Sequence, residues 1–437
     1  MITRPLISVY LDRVRISPRN IEDVAIFNSI DMTLPELTFK IADLDGTFLS
    51  QLDIYVGATI GVDLIESNQR LESNNIKGRT FTDFIITKIF DGFENNNESL
   101  GGFIQIWCKP AWYLFGNNQG HAYAPMKLSE LIKKVCQEAH ENLGLKIEDS
   151  RFASSSDPGN VPRFKCCESD LDFIEKKLLP YTNIDDSNVF FYVDWFGRPN
   201  LTSFERLISQ EPKTIIYPPA GLANTIQEKL SDIVKQKGIT EAYSWQGINL
   251  KIGDENLKKA FSTIKKKVFL ENNETGKVYI ANQQPRARMG SDNGKTFASK
   301  MPFNALTMEY IDATSSEPYP NRLLPDALAM ARNSDNNVVD FIQLEVLLNG
   351  AIDKMVVGDT VMLVTPIRKI SMSDNELVSK KNSHWINGKW LIKNITMTQR
   401  KCNPDDVSTK ITVIRPTLIY NIDTTTINKS SYLYSVE

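Results

Sequence analysis

Carboxylates, lysines, thiols and imidazoles are the groups from which a chemical site could be built, and this chain spreads them thinly. Asp43 and Asp45 stand two residues apart in ADLDGTFL, just ahead of Gly46. Lys258, Lys259, Lys265, Lys266 and Lys267 form the one basic cluster, a set that could meet nucleic-acid phosphates. Asp254, Glu255 and Glu271 offset it, and a solvated face accounts for it more simply. Gly116-Asn117-Asn118-Gln119-Gly120 lacks the lysine and Ser/Thr of a phosphate-cradling loop and reads as a flexible connection. The three histidines, His121, His140 and His384, lie far apart and offer little to a zinc site or a histidine-based triad. The five cysteines (Cys108, Cys136, Cys166, Cys167, Cys402) show no C-x-x-C spacing, and buried reduced thiols are expected. On a strand, Cys166 and Cys167 would point to opposite sides. The expectation is no catalytic residue, no cofactor and no metal.

The elements around these residues define several modules. With 437 residues, 41% hydrophobic and 24% charged, the chain is long enough for two to four domains, each with its own core. Its 50 Lys+Arg against 53 Asp+Glu leave a net charge of -3, too small for a field that selects nucleic acid or an anionic membrane. No apolar run is long enough to span a bilayer, and Arg4 precedes any signal-like segment, so no membrane insertion and no export by the usual route are expected.

From residue 1 to 110, short β-branched and aromatic runs separated by Gly, Asn, Asp and Ser predict a first β-barrel. Residues 111–208 read as an α/β module. Ser129 precedes a helical run with Leu131, Ile132, Val135 and Ala139 on one face and Gly144 as its stop. Ser169 caps a second helix that Pro180 ends, and a hairpin follows with its turn at Phe196-Gly197-Arg198-Pro199. Residues 209–333 form a mixed module without an assigned fold, with helices expected at 222–238 and around 325–333. Strands return over 334–420 as a second β-barrel, and 421–437 is a tail that needs a neighbour to stay ordered. Trp245, Trp385 and Trp390 are expected in cores. The fold class is thus α+β, mainly β: two related barrels with α/β modules between them.

The barrels are related because they can be laid on one another. Ile54–Val62 matches Met355–Leu363, with Gly57 over Gly358 and Thr59 over Thr360. Asp45-Gly46 and Asn349-Gly350 are hairpin dipeptides ahead of these segments. Phe84–Ile89 matches Trp390–Ile395, and the copies close on Lys109-Pro110 and Arg415-Pro416 at equal intervals. Agreement of four features in one order marks an internal repeat.

ADLDGTFL resembles the first motif of the haloacid-dehalogenase phosphatases, which implies Asp43 as nucleophile, Asp45 as acid/base and a bridging magnesium. Three features oppose it. LTFKIAD alternates where that family needs a continuous apolar strand, Gly358-Asp359 lacks the second acid of the distal motif, and the repeat makes Asp45-Gly46 a hairpin turn.

A second resemblance spans most of the chain. RFKCCESDLDFIEKKLLPYTNI followed by VFFYVDWFGRPNLTSF, with its Glu168-Ser169-Asp170 and Asp194…Gly197, resembles the bacteriophage tail hub family. That family takes in the hub of T-even contractile tails, the late-control protein D group and the N-terminal part of VgrG. Gly388 to Pro416 is similar to a late segment of the same family. The resemblance implies a non-enzymatic structural protein of the virion tail baseplate, assembled in the host cytoplasm. It implies a homotrimeric, pseudo-hexameric ring that adapts a hexameric tail tube to a trimeric central spike. Its other partners would be the tape-measure protein, further baseplate proteins and DNA in passage. A hub of a tailocin or of a type VI secretion device is the neighbouring alternative.

Overall fold

The computed structural model describes residues 5–12, 14–43, 54–66, 81–96, 99–114, 120–143, 147–157, 159, 162–185, 187–218, 239–251, 266–272, 277–283, 307–310, 342–364, 386, 388–401 and 406–415. Several expectations lie outside them: the helices at 222–238 and around 325–333, the Asp45-Gly46 and Gly144 turns, Lys258, Lys259, Lys265, Cys402, His384, Trp385, Pro416 and the 421–437 tail.

The first barrel is built from β1 (Pro5–Leu11), β2 (Val14–Arg15), β3 (Ile21–Ser29), β4 (Glu36–Ala42), β5 (Thr59–Glu66), β6 (Phe84–Asn96) and β7 (Ser99–Pro110). Alternation drives it: Leu37, Phe39 and Ile41 on β4 and Ile104, Ile106 and Cys108 on β7 are buried, while the residues between them are half-exposed.

The α/β module follows. It holds β8 (His121–Tyr123), helix α1 (Leu128–Leu143), β9 (Arg163–Lys165) and the turn α2 (Asp170–Asp172), which runs on as a π-helix over Phe173–Leu178. A hairpin of β10 (Val189–Val193) and β11 (Pro199–Ser203) and the short α3 (Phe204–Ser209) complete it. Ser169 caps α2 as expected, its hydroxyl accepting from the Asp172 N–H at 3.1 Å. Ser129 does not cap α1. It lies inside the first turn, where its N–H donates to the Ser155 hydroxyl and its own hydroxyl accepts from the Ser155 N–H, at 3.1 and 2.9 Å. The Asp157 carboxylate, far along the chain, accepts from the first N–H of α1, that of Leu128.

The second barrel comprises β12 (Thr214–Tyr217), β13 (Glu241–Lys251), β17 (Ile342–Asn349), β18 (Thr360–Leu363), β19 (Gly388–Arg400) and β20 (Val407–Arg415). Two of these strands, β12 and β13, come from the stretch 209–333 that carries no assigned fold in the sequence. Between β13 and β17 lie β14 (Lys266–Asn272), β15 (Lys277–Gln283) and β16 (Thr307–Tyr310), which form a separate three-stranded sheet.

The two barrels are one hydrogen-bonded sheet. Its strand order is β18-β12-β13-β17-β20-β19-β3-β4-β7-β6-β5-β1-β2, and a β18–β19 pairing closes the second barrel with six strands. The repeat holds where the strand after the glycine turn meets the next, but the closing strands slip by one, since Ile85 faces Lys109 while its counterpart Leu391 faces Ile414. Thr59 faces Ile85 and Ile60 faces Phe84 in the first barrel, and Thr360 faces Leu391 and Val361 faces Trp390 in the second. A bulge falls at Thr87 on β6 and at Lys393, its counterpart on β19. Gly57 and Gly358 both take positive φ (103° and 84°) and both donate an N–H to the carbonyl just before the bulge, Ile86 and Ile392 respectively.

One apolar cluster accordingly runs through both barrels, from Ile26 and Phe39 to Val346, Trp390 and Ile411. A second fills the α/β module around Trp112, Ile132, Cys136, Phe173 and Phe191. Strand β10 serves both: Phe190 and Tyr192 enter the barrel cluster, while Val189, Phe191 and Val193 enter that of the module. This two-sided burial explains why VFFYV is apolar at every position.

Beside the inter-barrel seam, one side chain does the work of a strand. Gln399 of β19 is buried, its Oε1 accepting from the Ile7 N–H at 2.6 Å and its Nε2 donating to the Ile7 carbonyl at 3.4 Å. The carboxamide thus pairs the backbone of β1 as another peptide group would. Gln399→Leu strands both Ile7 groups and should cost about 1–3 kcal/mol, read as a lower urea midpoint at unchanged slope; an unchanged midpoint would show the pairing to be idle.

Candidate functional site

Among the described residues, Asp43 and Asp359 both belong to the antiparallel β framework. Strand β4, which leads into Asp43, pairs antiparallel with both β3 and β7, so the buried parallel sheet of the phosphatases is not what carries it. Asp43 is buried at the strand end, where its N–H donates to the Gly102 carbonyl at 2.8 Å. Asp359, the other half of that resemblance, sits in the second barrel and caps its own turn by accepting from the Val356 N–H at 3.2 Å. Among the described residues, no three His, Cys, Asp or Glu gather in a way that could hold a metal ion.

The cysteines divide. Cys108 and Cys136 are buried, as expected, but Cys166 and Cys167 are exposed free thiols. They lie just past β9, and Cys167 has positive φ (50°), so a turn rather than a strand sets their directions. Of the basic cluster, Lys266 and Lys267 open β14. Of the tryptophans, Trp390 is fully buried, with Arg415 over its ring at 4.2 Å and burial pushing that guanidinium down to about 10. Trp245 is half-buried and donates its indole N–H to the Val364 carbonyl.

Glu168-Ser169-Asp170 proves to be an architectural motif. Glu168 accepts from Lys177 at 2.9 Å, Ser169 caps α2, and Asp170 forms a buried ion pair with Lys165 of β9. Burial, opposed by Lys165, raises the Asp170 pKa. Removing one partner of such a pair leaves a buried charge, at a cost of about 3–5 kcal/mol. Beside it, Thr33 of the first barrel donates to Glu175 of the π-helix, on the wall of a cleft of about 320 Å³ lined also by Asp31, Lys109 and Asp172.

What the sequence leaves unseen is that the β10–β11 hairpin is a wedge between the barrels. Its tip is held by Asp194, whose carboxylate accepts from the Phe196 and Arg198 N–H groups at 3.0 Å each and from Arg198 Nε at 2.8 Å. Arg151 reaches the same carboxylate at 3.4 Å and donates to Asn200 at 2.8 Å. Burial raises the Asp194 pKa against the pull of both arginines. On one side the hairpin meets the first barrel, where Val193 N–H donates to Thr33 O at 2.7 Å and Thr82 N–H to Trp195 O at 2.8 Å. On the other it meets the second. Tyr192 packs on Gly358 so closely that a Cβ there would collide with its hydroxyl, and burial, with Asp359 next in effect, raises the tyrosine pKa. After α3, Gln210 donates to Gly358 O at 3.3 Å and accepts from Thr360 at 3.0 Å and Lys389 at 3.1 Å.

Along the seam itself, β3 and β19 pair antiparallel over seven positions, from Asn394↔Ser29 to Arg400↔Asp23. Lys393, at the bulge, is buried and reaches Asp31 at 2.6 Å, and the Ser29 hydroxyl donates to Asn394 Oδ1 at 2.7 Å. Hydrogen bonds and an ion pair, rather than apolar burial alone, therefore set the register.

The repeat exposes a difference. In the second barrel the turn Met355-Val356-Val357-Gly358 is buried beneath the wedge. In the first, Tyr55 and Val56 are 56% and 61% exposed, and a Cβ on Gly57 would meet nothing within 4 Å. Two equivalent turns thus differ in cover, one lying beneath the wedge and the other exposed.

No family model matches the sequence, and no curated protein matches it. Among solved structures, the fold is similar to a tail protein from Neisseria meningitidis, with TM-score 0.53 and 8% identity over 95% of this chain and 98% of that one. It is similar also to the 43 kDa tail protein of prophage MuSo2 from Shewanella oneidensis, with TM-score 0.51 and 11% identity over 94% of this chain and 97% of that one. The chain thus has the fold of these tail proteins: mainly β, with its barrels fused and a module between them.

The unequal turns give a direct expectation. Gly57→Ala should cost only the left-handed backbone penalty, about 1–2 kcal/mol. Gly358→Ala should add an overpacking cost of about 1–3 kcal/mol against Tyr192, part of it recovered in Gly358→Ala/Tyr192→Phe; equal denaturation midpoints for the two alanine variants would contradict the wedge geometry.

Proposed function

We propose that this chain is the structural hub of a phage-type tail baseplate. In this reading three copies close a ring, and the two barrels of each copy make the ring pseudo-hexameric on the side that meets the tail tube. The ring remains three-fold toward a trimeric central spike, and its channel passes the tape-measure protein and DNA. The chain then resides in the virion tail and assembles in the host cytoplasm together with other baseplate proteins. Its units are the barrels 1–110 and 334–420, the latter completed by β12 and β13, with the wedge module 111–208, the remainder of 209–333 and the tail 421–437 as appendages.

One observation carries this reading: two barrels that repeat the glycine turn, the strand pairing after it and the bulge beyond it, joined in a single sheet. A chain that offers two near-copies of one surface can bridge partners whose symmetries differ by a factor of two, because three chains then present six near-equivalent faces. The likeness in fold to two tail proteins supports it. A hub of a tailocin or of a secretion device would use the same surfaces. No role for catalysis enters, and the buried carboxylates serve caps and ion pairs.

Purified chain of 49.5 kDa should run by light scattering as a trimer and appear ring-shaped in negative stain, alone or with a tube or spike protein. A monomer that stays monomeric with both partners would overturn the proposal.

A further inference from the structure

Two thiols stand side by side at the surface of the α/β module. Cys166 and Cys167 are adjacent in sequence, and both are exposed and free. On a strand they would face opposite ways, out of reach of one another. Strand β9 stops at Lys165, however, and Cys167 takes a left-handed φ of 50°, so strand alternation no longer separates the pair. Cys108 and Cys136 offer a contrast. Both are buried, and burial raises their thiol pKa values, which keeps them protonated and unreactive.

The turn that carries the pair is tied down at both ends. Lys165, just before it, forms the buried ion pair with Asp170, and Glu168, just after it, accepts from Lys177 at 2.9 Å. The Cys166 N–H donates to the same Glu168 carboxylate at 3.4 Å, and Ser169 then caps α2. The chain between Lys165 and Asp170 is thus a short bridge with little slack, anchored in strand β9 at one end and in the first turn of a helix at the other. A covalent change at the thiols is passed to the ion pair, because the bridge is too short to absorb it.

We propose that Cys166 and Cys167 form a redox-sensitive site, a vicinal dithiol that exchanges with small-molecule disulfides and closes on itself. In the first step one cysteine thiolate attacks the small disulfide; its S–S bond breaks, a mixed disulfide forms and one small thiolate leaves. In the second, the neighbouring thiolate attacks the protein sulfur of that mixed disulfide and expels the other small thiolate. The cysteine pair is oxidised, the small disulfide is reduced to two thiols, and the protons of the cysteines end on the departing sulfurs. The peptide between the cysteines is trans, which sets their Cα atoms about 3.8 Å apart, below the roughly 4.4–6.8 Å of ordinary disulfides. The closed form is therefore strained and readily reduced, the property of a reversible switch rather than of a structural staple. Closing it draws the bridge away from the geometry that seats Lys165 against Asp170, so oxidation loosens β9 and the helix that follows. The proposal is independent of the ring reading above.

The test uses the full chain with Cys402→Ser, treated with oxidised glutathione. Each chain should release two glutathione thiols and lose the mass of two hydrogens, with no glutathione retained, and dithiothreitol should restore the starting mass. Cys166→Ser and Cys167→Ser in the same background should each retain one glutathione instead. Amide hydrogen exchange across residues 163–178 should run at least about tenfold faster in the oxidised chain than in the reduced one. A chain that keeps glutathione on its cysteines, links to a second copy on a non-reducing gel, or does not react overturns the dithiol site. Closure of the pair with unchanged exchange overturns its coupling to the ion pair, and with it the switch.

Discussion

The antiparallel pairing of β3 with β19 is the contact on which the rest of the molecule depends. A barrel strand must satisfy the peptide groups on both edges; within its own barrel β19 meets β18 only over Gly388–Leu391, and among the described residues no other strand of the first barrel lies on the edge of β3 away from β4. Joining them converts two exposed edges into one interior ladder. The Gln399 carboxamide then reaches from this seam to Ile7, and Lys393 to Asp31, so the polar groups left at the junction are bonded as well. Everything built on the barrels inherits this geometry, because the wedge module can touch Thr33, Thr82 and Gly358 together only while the seam holds them in place.

The wedge shows how an apolar strand can be committed to two cores at once. Strand β10 has no solvent face, and its turn is stiffened by Asp194, which draws on two backbone N–H groups and two arginines. Holding a carboxylate in so dry a place raises its pKa, and the surrounding donors compensate. The same pattern recurs at Lys165–Asp170 and at Asp359, so the conspicuous acids of this chain are spent on turns and junctions.

Much of the fold was legible because it is periodic. The alternation on β4 and β7 and the two glycine turns arise from local rules, and they predicted two related barrels; the equal spacing to Lys109 and Arg415 does not carry into the pairing, where Lys109 corresponds to Ile414. Long-range partners were not legible. Ser129 has the residue type of a cap, yet Asp157 does the capping because the chain folds back to place it there. Cys166 and Cys167 follow a strand too short to orient them, and a turn with positive φ takes over. Strands β12 and β13 join a barrel whose other strands lie far later in the chain, and no local pattern announces that crossing. One clue to the seam stood in the open: Gln399 follows Ile395 and Met397 on the buried face of β19, and a carboxamide at an apolar position asks for a partner.

The direction of the seam also has a mechanical consequence. Hydrogen bonds between β3 and β19 run across the strands, so a force along the strands loads all seven paired positions together, whereas a force across them would open the ladder one rung at a time. Axial pull on either barrel is therefore shared along the ladder, and the bulge at Lys393 limits sliding because a one-residue slip would turn every buried side chain of β19 outward. The joined barrels behave under such a load as a single stiff plate rather than as two beads on a string.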